Sequence, residues 1–180
     1  VPENFAIEST AVTGIRSTEV TGVIVARTDS NIVVVRTTAN GLLRSTDGGR
    51  TWNPSNGALT DRANSVRSVA IHPTDPQIMI RATSAGTFRT NDGGKSWQQL
   101  PLNCDFDGSG PTAVCGEVVA FVPGKPKTIF AAGETMGLFR SEDGGDSWSR
   151  VIDAGNRFTA IDINPYFRNQ FGDTVIHAVT

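Results

Sequence analysis

Short apolar runs bounded by glycine, proline and aspartate fill this chain, and no stretch carries the three-to-four-residue spacing of an amphipathic helix. Ile32-Val33-Val34-Val35, Ile78-Met79-Ile80 and Thr128-Ile129-Phe130-Ala131 read as buried strands. Each is followed by a second run with glycine at its start and arginine near its end: Gly41-Leu42-Leu43-Arg44, Gly86-Thr87-Phe88-Arg89 and Gly137-Leu138-Phe139-Arg140. Ahead of the last two lies a run closed by proline, Val69-Ala70-Ile71-His72-Pro73 and Val118-Val119-Ala120-Phe121-Val122-Pro123. A short strand such as Gln98-Gln99-Leu100 completes the unit. The pattern therefore predicts four short strands per unit, repeated along the chain.

Between the third and fourth strands stands an eight-residue turn that recurs three times. Ser45-Thr46-Asp47-Gly48-Gly49-Arg50-Thr51-Trp52 returns as Thr90-Asn91-Asp92-Gly93-Gly94-Lys95-Ser96-Trp97 and as Ser141-Glu142-Asp143-Gly144-Gly145-Asp146-Ser147-Trp148. The aspartate can accept hydrogen bonds from its own hairpin, and the glycines permit the positive φ of a tight turn. The tryptophan offers a large face for burial between adjacent sheets. These roles are structural, so Ser45, Asp47, Gly49, Trp52, Thr90, Asp92, Gly94, Trp97, Ser141, Asp143, Gly145 and Trp148 are read as architecture rather than chemistry.

This turn resembles the Asp-box (BNR) repeat, whose proteins include sialidases, sortilin-type receptors, xyloglucan-degrading glycosidases and photosystem assembly factors. The stretch Val66-Arg67-Ser68-Val69-Ala70-Ile71-His72-Pro73-Thr74-Asp75-Pro76 looks nearest the xyloglucanase and assembly-factor branches. The resemblance implies an all-β fold, a β-propeller or partial propeller of four-stranded antiparallel blades with Asp-box hairpins. The expected division is an N-terminal segment 1–20, units 21–57, 62–102 and 103–153, and an incomplete unit 157–180. Phe158 to Pro165 repeats the proline-closed strand, which would put a fourth box just past Thr180. Three arrangements stay open at this point: a fragment of a longer propeller, a small ring closed by residues 4–16, or an open edge covered by a partner.

Composition narrows the partners. A net charge of −2 shows no basic field for nucleic acid, and no apolar run is long enough for a membrane helix. Cys104 and Cys115 flank a polar loop and are expected to form a disulfide, which in turn suggests an extracytoplasmic (periplasmic or secreted) location. Within that loop Asp105, Asp107 and Ser109 match oxygen-ligand positions of a calcium loop. The bidentate acid is missing, however, and Gly116 stands in its place, so a polar loop without metal is the main reading, calcium stays open as the alternative, and no other cofactor is expected.

Candidate chemistry is sparse. A glycosidase needs two carboxylates flanking a cleft, and Asp29, Glu117 and Asp162 are available without any visible pairing. Only one tyrosine, Tyr166, could serve a sialidase, and the two histidines, His72 and His177, are too few for a histidine metal site. Arg44, Arg89 and Arg140 occupy one repeat position and form a candidate binding rim for an acidic partner. The alternative is that their stems pack on tryptophan or pair with box carboxylates. The sequence thus favours a non-catalytic, extracytoplasmic module that binds a protein partner or other subunits of a complex, with no catalytic residues assigned. The rival reading is part of a glycoside hydrolase or a glycan-binding propeller.

Overall fold

The computed structural model describes residues 20–38, 40–59, 65–102, 117–133, 136–153, 158, 160–168 and 174–179. The strands are β1 (Val20–Val25), β2 (Val33–Thr37), β3 (Leu42–Ser45), β4 (Asn53–Pro54), β5 (Val66–Ile71), β6 (Met79–Thr83), β7 (Gly86–Thr90), β8 (Gln98–Gln99), β9 (Val119–Val122), β10 (Lys125–Gly133), β11 (Gly137–Ser141), β12 (Ser149–Ile152), β13 (Ala160–Arg168) and β14 (Thr174–Val179). They form three four-stranded antiparallel sheets, β1–β4, β5–β8 and β9–β12, each in sequence order, and a two-stranded sheet β13–β14.

No sheet is closed or curled on itself, and this corrects the expectation of a β-propeller family and fold. The eight-residue repeat specifies a four-stranded sheet and the way it packs on the next. It does not specify a ring, because ring closure depends on contacts beyond any one repeat. The expected Cys104–Cys115 disulfide falls on residues that the structure does not describe, and no disulfide is found among those that are described.

The sheets stack in series through apolar faces. Ile24, Val34 and Leu42 of the first sheet meet Val69 and Met79 of the second. Ile80 and Ala82 of the second meet Val119, Ile129 and Ala131 of the third. Phe130, Ala132 and Leu138 of the third meet Ile161 and Ile163 of β13. The register explains why one sequence pattern serves three times: Ile24 pairs with Val34, Ala70 with Ile80 and Ala120 with Phe130, always on the face turned toward the following sheet. The opposite face of β1 meets no such neighbour among the described residues, and Val23 and Val25 are exposed there.

One position breaks the pattern. Arg81 is fully buried where the neighbouring units carry Val35 and Ala131. Its guanidinium lies 4.4 Å from the Trp97 ring centroid and 5.5 Å from that of Phe88, and no nitrogen of it has a hydrogen-bond partner. Burial pushes its pKa down to about 10, which leaves it charged at neutral pH. Stacking on the indole is the compensation that the structure offers this charge.

The second box glycine is where successive units touch. Gly94 has φ +88°, and a Cβ built on it would lie 1.8 Å from Ser55 Oγ of the preceding unit. Ser55 is held there by donating to Gly93 O at 3.0 Å, while its own carbonyl accepts from Trp97 Nε1 at 3.0 Å. At the next junction Leu100 takes the place of Ser55 and approaches Gly145 in the same way. Gly94→Ala therefore combines a left-handed backbone with a steric clash, and should destabilise the protein by about 2–4 kcal/mol. Urea denaturation checks this, and a loss below about 0.5 kcal/mol would show that the junction yields freely.

Candidate functional site

The three box turns share one hydrogen-bond scheme. In the first, Ser45 Oγ donates to Asp47 Oδ1 at 2.7 Å and accepts from Gly49 N at 2.8 Å. Asp47 also accepts from Thr51 N at 2.9 Å and Thr51 Oγ1 at 2.6 Å. Thr90, Asp92, Gly94 and Ser96 repeat the scheme, and so do Ser141, Asp143, Gly145 and Ser147. Donors from Thr51, Ser96 and Ser147, with help from Ser45, Thr90 and Ser141, hold the three carboxylates well below the usual carboxylate range. A carboxylate saturated in this way is a poor acid or base, and its work is to pin the turn. Trp52, Trp97 and Trp148 that follow are half-buried.

Two of the three repeated arginines reach forward to the next unit. Arg44 Nη2 points to Pro76 O at 3.5 Å and packs against Gly93, and burial lowers its pKa. Arg89 Nη1 donates to Gly144 O at 2.8 Å and pairs with Asp146 at 2.9 Å. Arg140 pairs with Glu142 within its own unit. The guanidinium groups are thus used in cross-unit and local contacts.

A cavity of 240 Å³ opens where the first strands of the four sheets converge. Ile24, Val69, Ile71, Phe121 and Ile163 supply an apolar floor, and Arg27, Glu117 and Asp162 are the charged residues on its walls. Glu117, just ahead of β9, is fully engaged. Its Oε1 meets Arg36 Nη2 at 2.7 Å, and its Oε2 accepts from Ser68 Oγ at 2.6 Å and Val69 N at 3.1 Å. Ser68 Oγ in turn accepts from Val118 N and Val119 N, and Glu117 O accepts from Ile161 N at 2.7 Å. Arg36 also donates to Arg67 O and Thr21 O. One carboxylate and its neighbours therefore tie all four sheets together.

The other two carboxylates fare differently. Asp29 caps its own turn by accepting from Asn31 N at 2.9 Å, away from the cavity lining. Asp162, on β13, is exposed and takes no hydrogen bond or ion pair from the described residues. The structure thus brings Glu117 and Asp162 to one cleft but leaves only Asp162 free. His72 lies edge-on to Phe121, with centroids 5.1 Å apart. Burial lowers its pKa, and its Nδ1 accepts from Asp75 N at 3.1 Å, so it stabilises a turn. The sequence did hold a signal for the Glu117 cluster. Arg36 occupies the repeat position of Ala82 and Ala132, a charge among alanines.

The calcium candidates Asp105, Asp107 and Ser109 lie outside the described residues. Among the described residues no group of three metal-ligating side chains occurs, and no helix is long and apolar enough to cross a membrane.

Serially packed four-stranded sheets with carboxylate-pinned turns define a class of repeat protein, and the comparisons sharpen it. The family model described as Sortilin, neurotensin receptor 3 (Sortilin-Vps10) matches residues 40–159, more than half of the chain. The chain belongs to that family. No curated protein sequence matches it. Among solved structures it is similar to the Niastella koreensis GH74 enzyme (TM-score 0.68, 19% identity, covering 88% of this chain and 26% of that one). An ancestral GH74 enzyme matches at TM-score 0.63 and 22% identity, covering 81% of this chain and 20% of that one. YCF48 bound to D1 peptide matches at TM-score 0.52 and 20% identity, covering 92% of this chain and 53% of that one. The chain spans between a fifth and about half of the length of these structures, and the likeness establishes the fold they share.

The box carboxylates generate an acid signature. Each is held below its unfolded pKa, so its stabilisation is complete above the unfolded value of about 3.9 and is lost as pH falls through the folded value. The urea midpoint should fall steeply below about pH 4. In a variant carrying Asp47→Asn, Asp92→Asn and Asp143→Asn, most of that acid slope should vanish. A wild-type midpoint that stays level down to about pH 2 would contradict the assignment.

Proposed function

We propose that this chain is the glycan-binding part of a carbohydrate-active protein, and that its ligand lies in the cleft between the first strands. The observation that carries the reading is the cleft itself, an apolar floor with few polar groups, which is the usual make-up of a ligand site. Its 240 Å³ is smaller than the roughly 300–1,000 Å³ of pockets for drug-sized ligands. That size suits one ring of a longer sugar chain crossing the surface. Ile71, Phe121, Pro73 and Pro123 offer C–H and ring faces for the apolar side of a sugar, and Asp162 offers a free carboxylate for its hydroxyls. The fold-level likeness to GH74 enzymes supports the choice of ligand class.

Binding is proposed here, and hydrolysis is not. An inverting or retaining glycosidase needs a second carboxyl group free to exchange a proton or attack. Glu117, the other carboxylate on the cleft, has both oxygens committed to Arg36, Ser68 and Val69. A second reading, a peptide-binding assembly unit, is favoured by the exposed valines of the edge strand β1, Val23 and Val25, which could receive an added strand. The peptide in the similar YCF48 structure fits that reading.

Isothermal titration with cello-oligosaccharides and xyloglucan oligosaccharides tests the proposal. Binding with a Kd of about 1 mM or tighter is expected, without release of reducing ends. Absence of binding to both sugars would overturn the glycan reading, and turnover would overturn its non-catalytic half.

A further inference from the structure

We propose that His72 is a positioning residue of the cleft: its neutral ring ties the turn that carries Pro73 to the hairpin that carries Phe121 and Pro123, and protonation of that ring loosens the wall and weakens ligand binding. The inference rests on the glycan reading above and adds a pH dependence to it. The turn itself does not require a histidine. The turns after β1 and β5 are built alike: Ala26 N donates to Ile32 O and His72 N to Ile78 O, each at 2.9 Å. Ile32 N reaches Asp29 O as Ile78 N reaches Asp75 O, and each aspartate side chain caps its own turn, Asp29 on Asn31 N and Asp75 on Gln77 N. Alanine therefore suffices at the position of His72, and in the third unit Val122 stands there before Pro123.

The ring makes contacts that alanine cannot. Its Nδ1 accepts from Asp75 N at 3.1 Å within the turn. The Pro126 carbonyl, on β10 of the third sheet, hydrogen-bonds the ring as well. A carbonyl only accepts, so a neutral ring with its proton on Nε2 serves both partners. The same ring lies edge-on to Phe121, with centroids 5.1 Å apart and planes at 79°. Phe121 and Pro126 bracket Pro123 along the chain, and Pro73 follows His72 directly. Pro73, Phe121 and Pro123 all line the cleft. One side chain behind the lining thus fixes the spacing between the two proline walls.

Protonation undoes this arrangement. A charged imidazole carries N–H on both nitrogens, so its Nδ1–H opposes the Asp75 amide, donor against donor. The ring then has to turn, which breaks the contact with the amide and changes the edge presented to Phe121. Asp75 is the charged side chain that faces the ring from its own turn, and Lys125 and Lys127 flank Pro126 on the strand packed against it. Burial holds the pKa of His72 below the usual histidine value, while Asp75 and the Pro126 carbonyl act the other way. With the folded value the lower one, the neutral tie is complete above about pH 6.5 and is lost as pH falls through the folded value.

Titration calorimetry with cello-oligosaccharides and xyloglucan oligosaccharides at about pH 7 and about pH 5 tests the proposal on the wild-type chain, His72→Asn and His72→Ala. His72→Asn keeps an acceptor for the Asp75 amide that does not titrate, and Asn164 already stands before Pro165 at the matching place in the fourth unit. His72→Ala reproduces the residue of the first unit, and thermal denaturation verifies that it folds. The wild-type chain should bind about fivefold or more weakly at the lower pH. His72→Asn should bind at the higher pH and change by less than about twofold between the two, and His72→Ala should bind weakly at both. A wild-type affinity that does not change with pH, a loss that persists in His72→Asn, or wild-type affinity in His72→Ala would overturn the positioning role and leave the glycan reading standing. No binding of either sugar by the wild-type chain would overturn both.

Discussion

Four sheets that meet along their first strands bring backbone edges into a narrow space, and polar groups there need partners once water is excluded. Glu117 answers that constraint. Its two oxygens collect the Arg36 guanidinium from the first sheet and the Ser68 hydroxyl and Val69 amide from the second. Its own backbone carries the third, and its carbonyl receives Ile161 N of the fourth. Arg36 is nearly buried, at 7% side-chain exposure, so its charge depends on this carboxylate. Removing one partner of such a pair leaves the other uncompensated, which is the expensive way to break it.

That constraint also shapes function. Glu117 lines the cleft, yet both of its oxygens are committed to Arg36, Ser68 and Val69. Under the proposed glycan reading the cleft is a binding surface, with Asp162 as the carboxylate on its wall left for a ligand. The box aspartates follow the same logic at the rim: their hydrogen bonds are used up by the turns, and two of the three arginines of the candidate rim, Arg44 and Arg89, reach into the next unit.

Much of the local structure was legible in the sequence. The four strands of each unit and the turn residues follow from apolar runs, glycine positions and the recurring Asp-Gly-Gly, because these are local requirements of hairpins. Whether the sheets close into a ring was not legible, and the ring that the motif suggested is not formed, since a turn motif carries no information about how many sheets surround an axis. Glu117 was visible as a carboxylate but not as a hub. Its partners Arg36 and Ser68 are 81 and 49 residues away, and only the stacking of sheets brings them together. The place of Asp162 on the cleft was hidden for the same reason, since the cleft forms only where the first strands of the sheets converge. Arg81 likewise shows itself as a buried charge only when the second sheet is packed on the first.

The central claim is that one carboxylate–guanidinium contact couples the sheets. A double-mutant cycle with Arg36→Met and Glu117→Gln, followed by urea unfolding, measures that coupling directly. The account predicts an interaction energy of about 2 kcal/mol, the partial exposure of Glu117 keeping it below the largest values for buried pairs. Effects that add to within about 0.5 kcal/mol would show that the two residues stabilise the fold independently, and would contradict the account.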